Sequence, residues 1–536
     1  MNERVVENWL TSVSERGYEV PFTQLLSARG HTILQGPIHH GHEYGKDIIT
    51  LGPSGLLCAF QLKGSAGGER LGLTELRQYE AQLFELSAAA VRLPSVHPAR
   101  APDEVFLVTN QVLTPEARGL LGAISDANRA AGRAPLDAIE RDRLLGWFVE
   151  SHGRFFPEEP KDLSGFLRLY LSDGRDLPDL SEFFAFLHGL MPLPRRTRTT
   201  KNACRGAIVS ASLFTSYATR RFEEAENHLA VAQLWLALAS QVLYLAALYD
   251  LREEYWRDSY ELALTAGRHA LERLVHEAAA RPDLIGSHIT DGLVYGARAL
   301  LVCGYTAALR ASLRTSSVDH DVDQMVALVR REQPFIKIHG ESGTPLFYAT
   351  ALFLTMHGEV KTGEGMLLNL IRELANSNQP GSDRALPDPY HSTDEILSAL
   401  LENRQGGFDD ERYDGHAYTL HPLVEWAARR LWRQQLNSLW HRISKITQIQ
   451  LNPSAPAAYL LPVDDEGELH TWLHQVPTSW SRLRAGADLL ERRALPAVLV
   501  DHLEFVPFVP LLLPNRFTAE MARLVDHAMT GAVEIV

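Results

Sequence analysis

Two short stretches, Gly45-Lys46-Asp47-Ile48-Ile49-Thr50 and Cys58-Ala59-Phe60-Gln61-Leu62-Lys63-Gly64, decide how the first part of this chain is read. Asp47–Leu51 and Leu56–Lys63 are apolar runs, and Gly52-Pro53-Ser54-Gly55 stands between them. That turn chemistry joins two β-favouring runs into a hairpin. Side chains alternate faces along a strand, so Gln61 and Lys63 project from one face, and the hairpin sets that face beside Asp47. One site then gathers a carboxylate, an amide and an ammonium. Oxygen donors of this kind suit Mg2+, which keeps several waters, and an ammonium stabilises charge growing on an attacked phosphate.

Outward from the hairpin the signals alternate. Glu7–Arg16 and Phe22–Arg29 read as short helices, the second stopped by Gly30. His31–Leu34 reads as extended, Leu73–Ala90 has helical periodicity, Val105–Thr109 is a buried strand by composition, and Pro115–Ala131 is the helix after it. The order α-β-β-β-α-β-α predicts a mixed sheet flanked by helices. Glu19, two residues before Pro21, falls at or just before the start of the second helix, because proline favours a first turn.

This ordered set resembles the PD-(D/E)xK restriction-endonuclease superfamily in its Mrr-like branch, where the motif's second acid is commonly glutamine. Here the motif stands as Asp47…Gln61-x-Lys63. Ala28-Arg29-Gly30-His31 resembles the family's helix-to-strand junction, and Glu19 stands where the family carries an acid on the helix before the sheet. Val105-Phe106-Leu107-Val108-Thr109-Asn110 with Leu113-Thr114-Pro115-Glu116-Ala117 resembles the next strand and helix, and Leu136-Asp137 through Arg143-Leu144-Leu145 the closing segment. The resemblance covers roughly residues 15–150. It implies a restriction-endonuclease-like α/β domain at 1–155 with catalytic Asp47, Gln61, Lys63 and Glu19. Of these, Asp47, Gln61 and Glu19 would hold Mg2+ or Mn2+. The implied activity is metal-dependent hydrolysis of phosphodiester bonds in DNA, double-stranded by expectation, as effector of a bacterial anti-phage defence or restriction system. Gln61 in place of an acid removes one negative ligand.

Other features carry two readings each. His39, His40, His42 and Glu43 suit either a zinc site or an exposed loop, and Glu43 could add an acid near the metal. Gln78 and Tyr79 suit either substrate contact or a half-buried helix face. No phosphate-binding Gly-x-x-x-x-Gly-Lys-Ser/Thr loop, Gly-x-Ser-x-Gly elbow or zinc-finger spacing occurs. A net charge of −14 excludes a protein coated in a nucleic-acid-binding field and leaves room for a local basic groove.

Beyond Trp147 the texture changes. Residues 156–204 are rich in proline and close with Arg195-Arg196-Thr197-Arg198, a linker by composition or a phosphate contact by charge. Residues 205–375 are expected to be helical, with Phe222–Leu251, Tyr255–Ala280, Asp291–Ser312 and Leu346–Ala375 as helices or helix pairs. Ala349–His357 and Gly363–Leu374, hinged at Gly358-Glu359, resemble one unit of a tetratricopeptide-type repeat, although a period of about 34 residues does not extend further. An irregular, TPR-like solenoid is the expectation, followed by a loop-rich boundary at 376–419 and a C-terminal helical domain at 420–536 with one strand at Ala457–Leu461. Such helices offer a surface for a protein partner or a second copy of the chain.

The apolar run Leu229–Tyr249 is long enough to span a bilayer, but charge flanks both ends, so it reads as a buried helix and no membrane association is expected. Met1–Leu10 lacks a signal-peptide pattern, and Cys58, Cys204 and Cys303 share no metal or disulfide spacing, which together point to the cytoplasm. Two alternatives to a DNA endonuclease stay open: a non-catalytic helical adaptor carrying an inactive nuclease fold, and an enzyme that cuts RNA.

Overall fold

Ser14 accepts a hydrogen bond from the Gly17 N–H and so caps a helix, α2, that runs Glu15–Ala28 behind α1 (Asn2–Ser12). Pro21 lies inside α2 rather than at its start. The expectation that the helix begins near Phe22 is therefore corrected, and Glu19 sits within it. A proline in a helix interior strips the carbonyl four residues back of its donor. The Ser216 hydroxyl donates to that Gly17 carbonyl instead, which removes an unpaired buried acceptor. The donor comes from a helix far along the chain, so no local signal announces it.

The computed structural model describes residues 2–36, 46–67, 70–93, 95–151, 160–191, 201–281, 285, 292–313, 322–382, 385–401, 415–451, 455–462, 471–476, 479–487 and 489–535. His39, His40, His42, Glu43 and the Arg195–Arg198 string lie outside them. The chain divides into two compact units, 1–245 with 250–266, and 246–249 with 267–536.

In the first unit five strands form one sheet, in the order β1 (Thr32–Gln35), β2 (Ile48–Leu51), β3 (Leu57–Lys63), β5 (Glu104–Thr109), β7 (Leu136–Ile139). β1–β2 and β2–β3 are antiparallel, whereas β3–β5 and β5–β7 are parallel, so the sheet is mixed as the alternation predicts. Gly52 accepts from the Gly55 N–H and donates to the Leu56 carbonyl, and Gly55 takes a φ of +80°, which glycine adopts without strain. A small parallel pair, β4 (Arg70–Leu71) with β6 (Val112–Leu113), hangs at the end of β3 and β5.

One face of the sheet packs Ala59, Val105, Leu107 and Leu136 against Leu76, Leu83, Leu86, Ala117 and Leu121. Those residues come from α3 (Leu73–Gln78), α4 (Glu80–Ala88) and α5 (Pro115–Ala130). The single helix expected over Leu73–Ala90 is thus two, parted at Tyr79. On the other face Phe60 meets Phe22 of α2 edge-on at 5.8 Å. The helix α6 (Arg141–Ser151) brings Phe148 onto Trp9 of α1 at 5.2 Å.

Further helices of this unit are α7 (Pro160–Leu171), α8 (Leu180–Leu190), α9 (Lys201–Glu224) and α10 (His228–Tyr249) as far as residue 245. α9 packs on α2, whose residues from Gly17 to Ser27 are all buried. Residues 205–245, the start of the helical region expected at 205–375, fall in the same compact unit as the sheet. The 18-residue apolar window of α10 is fully buried, in keeping with a core helix, and Gly292–Ser312 is the other described helix of comparable length and apolarity.

The second unit is mainly helical. Thr344–Met356 and Val360–Ser377 form the expected helix hairpin, turned at Gly358 with φ +89°. A Cβ at Gly363 would meet the Ala351 carbonyl at 2.4 Å, so this glycine sets how closely the two helices approach. The loop-rich boundary contains a helix, Thr393–Leu401. Ala457–Leu461 is corrected from a strand: Pro456–Leu460 is a 3-10 helix. Its proline favours a helical first position over a strand interior. The strands here include His416–Ala417, Thr447–Leu451 and Thr471–Gln475, which form one sheet, and a parallel pair, Leu489–Leu490 with Glu534–Ile535.

Candidate active site

The β2–β3 register pairs Ile48 with Phe60, and the Asp47 N–H bonds to the Phe60 carbonyl at 2.9 Å, so Asp47 continues the ladder opposite Gln61. Opposed residues share a face. The Asp47 Oδ2 accepts from the Gln61 amide at 2.7 Å and from the Leu62 N–H at 2.6 Å. Gln61 is only 3% exposed, and its Oε1 has no hydrogen-bond donor among the described residues. A buried amide oxygen without a donor loses its hydration with nothing in return, and its chemistry suits a cation or a water hydrogen as partner.

Lys63 follows two residues on. Its Nζ lies 3.5 Å from Glu15 Oε1 and 5.1 Å from the centre of the Tyr79 ring. Glu15 is the residue that the sequence reading missed. The signal was present: Glu15 and Glu19 stand four apart, on one face of a helix. It was concealed by taking Pro21 as the helix start. The Gly64 N–H donates to Glu15 Oε2 at 3.2 Å, tying the helix start to the end of β3.

Gly64 makes this approach possible. A Cβ there would lie 2.8 Å from Asn110 Oδ1, 2.8 Å from Tyr18 Cε1 and 3.3 Å from Glu15 Cα. Tyr18, fully buried, donates to the Lys63 carbonyl at 3.0 Å and the Val108 carbonyl at 3.2 Å, which fixes α2 across the ends of β3 and β5. Asn110 completes the clamp by donating to the Leu10 and Val13 carbonyls at 2.8 and 2.9 Å while accepting from the Ser65 N–H at 3.2 Å.

Burial raises the Asp47 carboxyl to about 7, with the Leu62 N–H and Lys63 opposing the rise and the charges of Glu15 and Glu19 adding to it. Burial likewise raises Glu15, against the pull of Lys63. Lys46, also buried, donates to the Glu85 carbonyl at 3.0 Å and is lowered to about 8 by desolvation. Several carboxylates therefore face a shared, poorly hydrated space with one ammonium among them. Such like-charge crowding is characteristic of sites that hold a cation or move protons.

Of the residues singled out from the sequence, the structure joins Asp47 to Gln61 directly and sets Lys63 within electrostatic reach of Asp47. Glu19 is 7% exposed and acts on Asp47 through its charge. Tyr79, half-buried, underlies Lys63, whereas Gln78 is exposed. Among the described residues no group of three or more His, Cys, Asp or Glu is arranged to hold a metal by itself. The donors in place for an ion are Gln61 Oε1 and Asp47 Oδ1, hard oxygens of the kind that Mg2+ and Mn2+ accept alongside water. Comparison with protein-family models, with curated proteins and with solved structures finds no match to this chain.

Proposed function

We propose that this chain is a divalent-metal-dependent endonuclease that hydrolyses DNA phosphodiester bonds. We further propose that it is the effector of a bacterial anti-phage defence or restriction system, with its helical second unit as sensor or partner surface. The observation that carries the reading is the Asp47–Gln61 contact across one hairpin, with Lys63 on the same strand face and two helix carboxylates nearby. The α-β-β-β-α-β order and the mixed sheet agree with a restriction-endonuclease-like fold. The link to a defence role rests on resemblance to that superfamily.

Asp47 and Gln61 supply the oxygens that would hold Mg2+ or Mn2+, and Glu19 lends negative charge behind them. The bound ion would lower the pKa of its water and neutralise charge on the phosphate. Lys63 presents an ammonium to a non-bridging phosphate oxygen, where it stabilises the charge that grows in the transition state. Glu15 holds that ammonium at the end of β3 until the phosphate arrives, and Tyr79 supports it from below. The Gln61–Asp47 hydrogen bond engages one carboxylate oxygen and so restrains the orientation of the group.

A second reading, an inert nuclease fold serving an adaptor, draws on one observation. Lys63 is ion-paired to Glu15, and one oxygen of Asp47 accepts from Gln61 and Leu62, so these two side chains have protein partners of their own. Cleavage of supercoiled plasmid in Mg2+ by full-length wild type, Asp47→Ala and Lys63→Ala separates the two. Each substitution is expected to slow cleavage by on the order of 10²–10³ or more. A Lys63→Ala protein that cuts at the wild-type rate overturns the site assignment. A wild type inactive on plasmid, linear DNA and RNA favours the adaptor.

A further inference from the structure

Side chains from three elements of the second unit meet in one buried polar cluster. His421 and Glu425 stand one turn apart on the helix Leu420–Arg429, and His421 Nε2 lies 3.4 Å from Glu425 Oε1. On its other side His421 Nδ1 meets His474 Nε2 at 3.0 Å, with the two rings edge to face at 4.7 Å. His474 belongs to Thr471–Gln475, which pairs along its length with Thr447–Leu451 and is the outer strand of its sheet. Arg523, from the helix Ala519–Thr530, lies 3.9 Å from Glu425 Oε2 and 3.2 Å from Glu520 Oε1. Glu520 also accepts from the Gln450 amide at 3.0 Å.

Two imidazoles in such contact are joined by one proton, which one ring donates and the other accepts. A second proton makes donors of both nitrogens and sets two cations against each other. Burial resists that charge and lowers His421 to about 3, with His474 and Arg523 adding to the effect. Glu425 is no counterweight in acid, because burial raises its carboxyl to about 7, with Arg523 opposing the rise and Glu520 adding to it. Arg429, which also acts on Glu425, is paired with Asp526 at 2.7 Å. The helices Val360–Ser377 and Trp480–Ala487 pack on Leu420–Arg429 and keep Lys361, Arg372, Glu373, Arg482 and Arg484 exposed and Glu364 half-buried. His416, in line with Thr447 and Gln475, falls on the opposite sheet face from His474.

We infer that the His421–His474 contact is an acid-sensitive clasp, which holds the outer strand Thr471–Gln475 on its sheet at neutral pH and releases it as the histidines take up protons. Once the strand leaves, both imidazoles are hydrated and titrate near their ordinary value. A histidine depressed in the closed form favours closure above 6.5, and that preference is lost as pH falls from 6.5 toward about 3. Release uncovers the backbone edge of Thr447–Leu451, on which another extended segment can pair. Nothing in the clasp depends on the nuclease reading.

The test is hydrogen–deuterium exchange of full-length protein at about pH 7 and about pH 5, corrected for the pH dependence of chemical exchange. His421 alone, moving from about 3 closed to 6.5 open, should raise the opening of 471–476 about 25-fold at the lower pH. Peptides from 344–377 should keep their protection. The double variant His421→Gln, His474→Gln takes up no proton at either position and should be equally protected at both pH values. If that variant does not fold, His474→Gln alone removes the cation pair while its amide can still reach His421, and its acid response should be smaller than that of wild type. Glu425→Gln should still open in acid. Wild-type protection of 471–476 within threefold at the two pH values overturns the clasp. So does an undiminished acid response in the histidine variants, or a parallel loss of protection in 344–377, which marks general acid unfolding.

Discussion

Replacing Gly64 by alanine should loosen the candidate site from its frame without touching a reacting group. The added methyl would sit 2.8 Å from both Asn110 Oδ1 and Tyr18 Cε1, about half an ångström or more inside ordinary contact. Neither neighbour yields freely. Asn110 donates to the Leu10, Val13 and Ser65 carbonyls, and Tyr18 is buried with its hydroxyl shared between two strand-end carbonyls. Forcing a methyl into a packed position costs about 1–3 kcal/mol, and each hydrogen bond broken in relief adds about 1 kcal/mol. A local loss of about 2–4 kcal/mol follows, which is roughly 30-fold or more in the opening equilibrium. A chain of two units does not unfold in one step, so a global melting curve is a poor measure. Hydrogen–deuterium exchange in peptides spanning 8–20, 57–67 and 105–111 is the assay. Protection there should fall, while peptides from 344–377 keep theirs. Cleavage should decline with it, because Glu15 and Lys63 no longer meet. Protection within threefold of wild type in all three peptides would refute the reasoning that Gly64 sets this approach.

Three further outcomes are expected. The folded Asp47 carboxyl holds its proton to about 7, above the ordinary 3.8, so its contribution to stability is present below pH 3.8 and lost as pH rises to about 7. In chelator, Asp47→Asn should therefore match wild type near about pH 4 and exceed its stability by up to about 4 kcal/mol near about pH 8; a difference independent of pH, read by urea denaturation, contradicts the buried carboxylate. Gln61→Glu would set a second carboxylate against Asp47 at the present 2.7 Å contact, so metal-free protein should be less stable and Mg2+ binding tighter by calorimetry; weaker binding in a folded variant would place Gln61 away from the ion. A fragment ending at 155 lacks the α9 cover of α2 and the Ser216 donor to Gly17, and should fold poorly beside a fragment of residues 1–266; equal circular dichroism and melting of the two would show that α9 is dispensable.

The hairpin and the shared face of its side chains were legible because they are local. A Gly-Pro-Ser-Gly turn and the two-residue period of a strand act over a few residues, so Asp47, Gln61 and Lys63 could be assigned to one face from the sequence alone. The β-β-β-α-β order and the glycine hinge at Gly358 were legible for the same reason. What the sequence concealed depends on residues far apart along the chain. Pro21 argues locally for a helix start, and only the Ser216 hydroxyl, arriving from α9, makes a helix through it tolerable. That helix in turn brings Glu15 to Lys63, a contact that Gly64 permits by lacking a side chain. The raised carboxyl of Asp47 follows from burial and from two glutamates on another element, neither of which a strand pattern encodes. The register of side chains was therefore fixed by backbone periodicity, whereas their charge states and closest partners were decided by packing between elements.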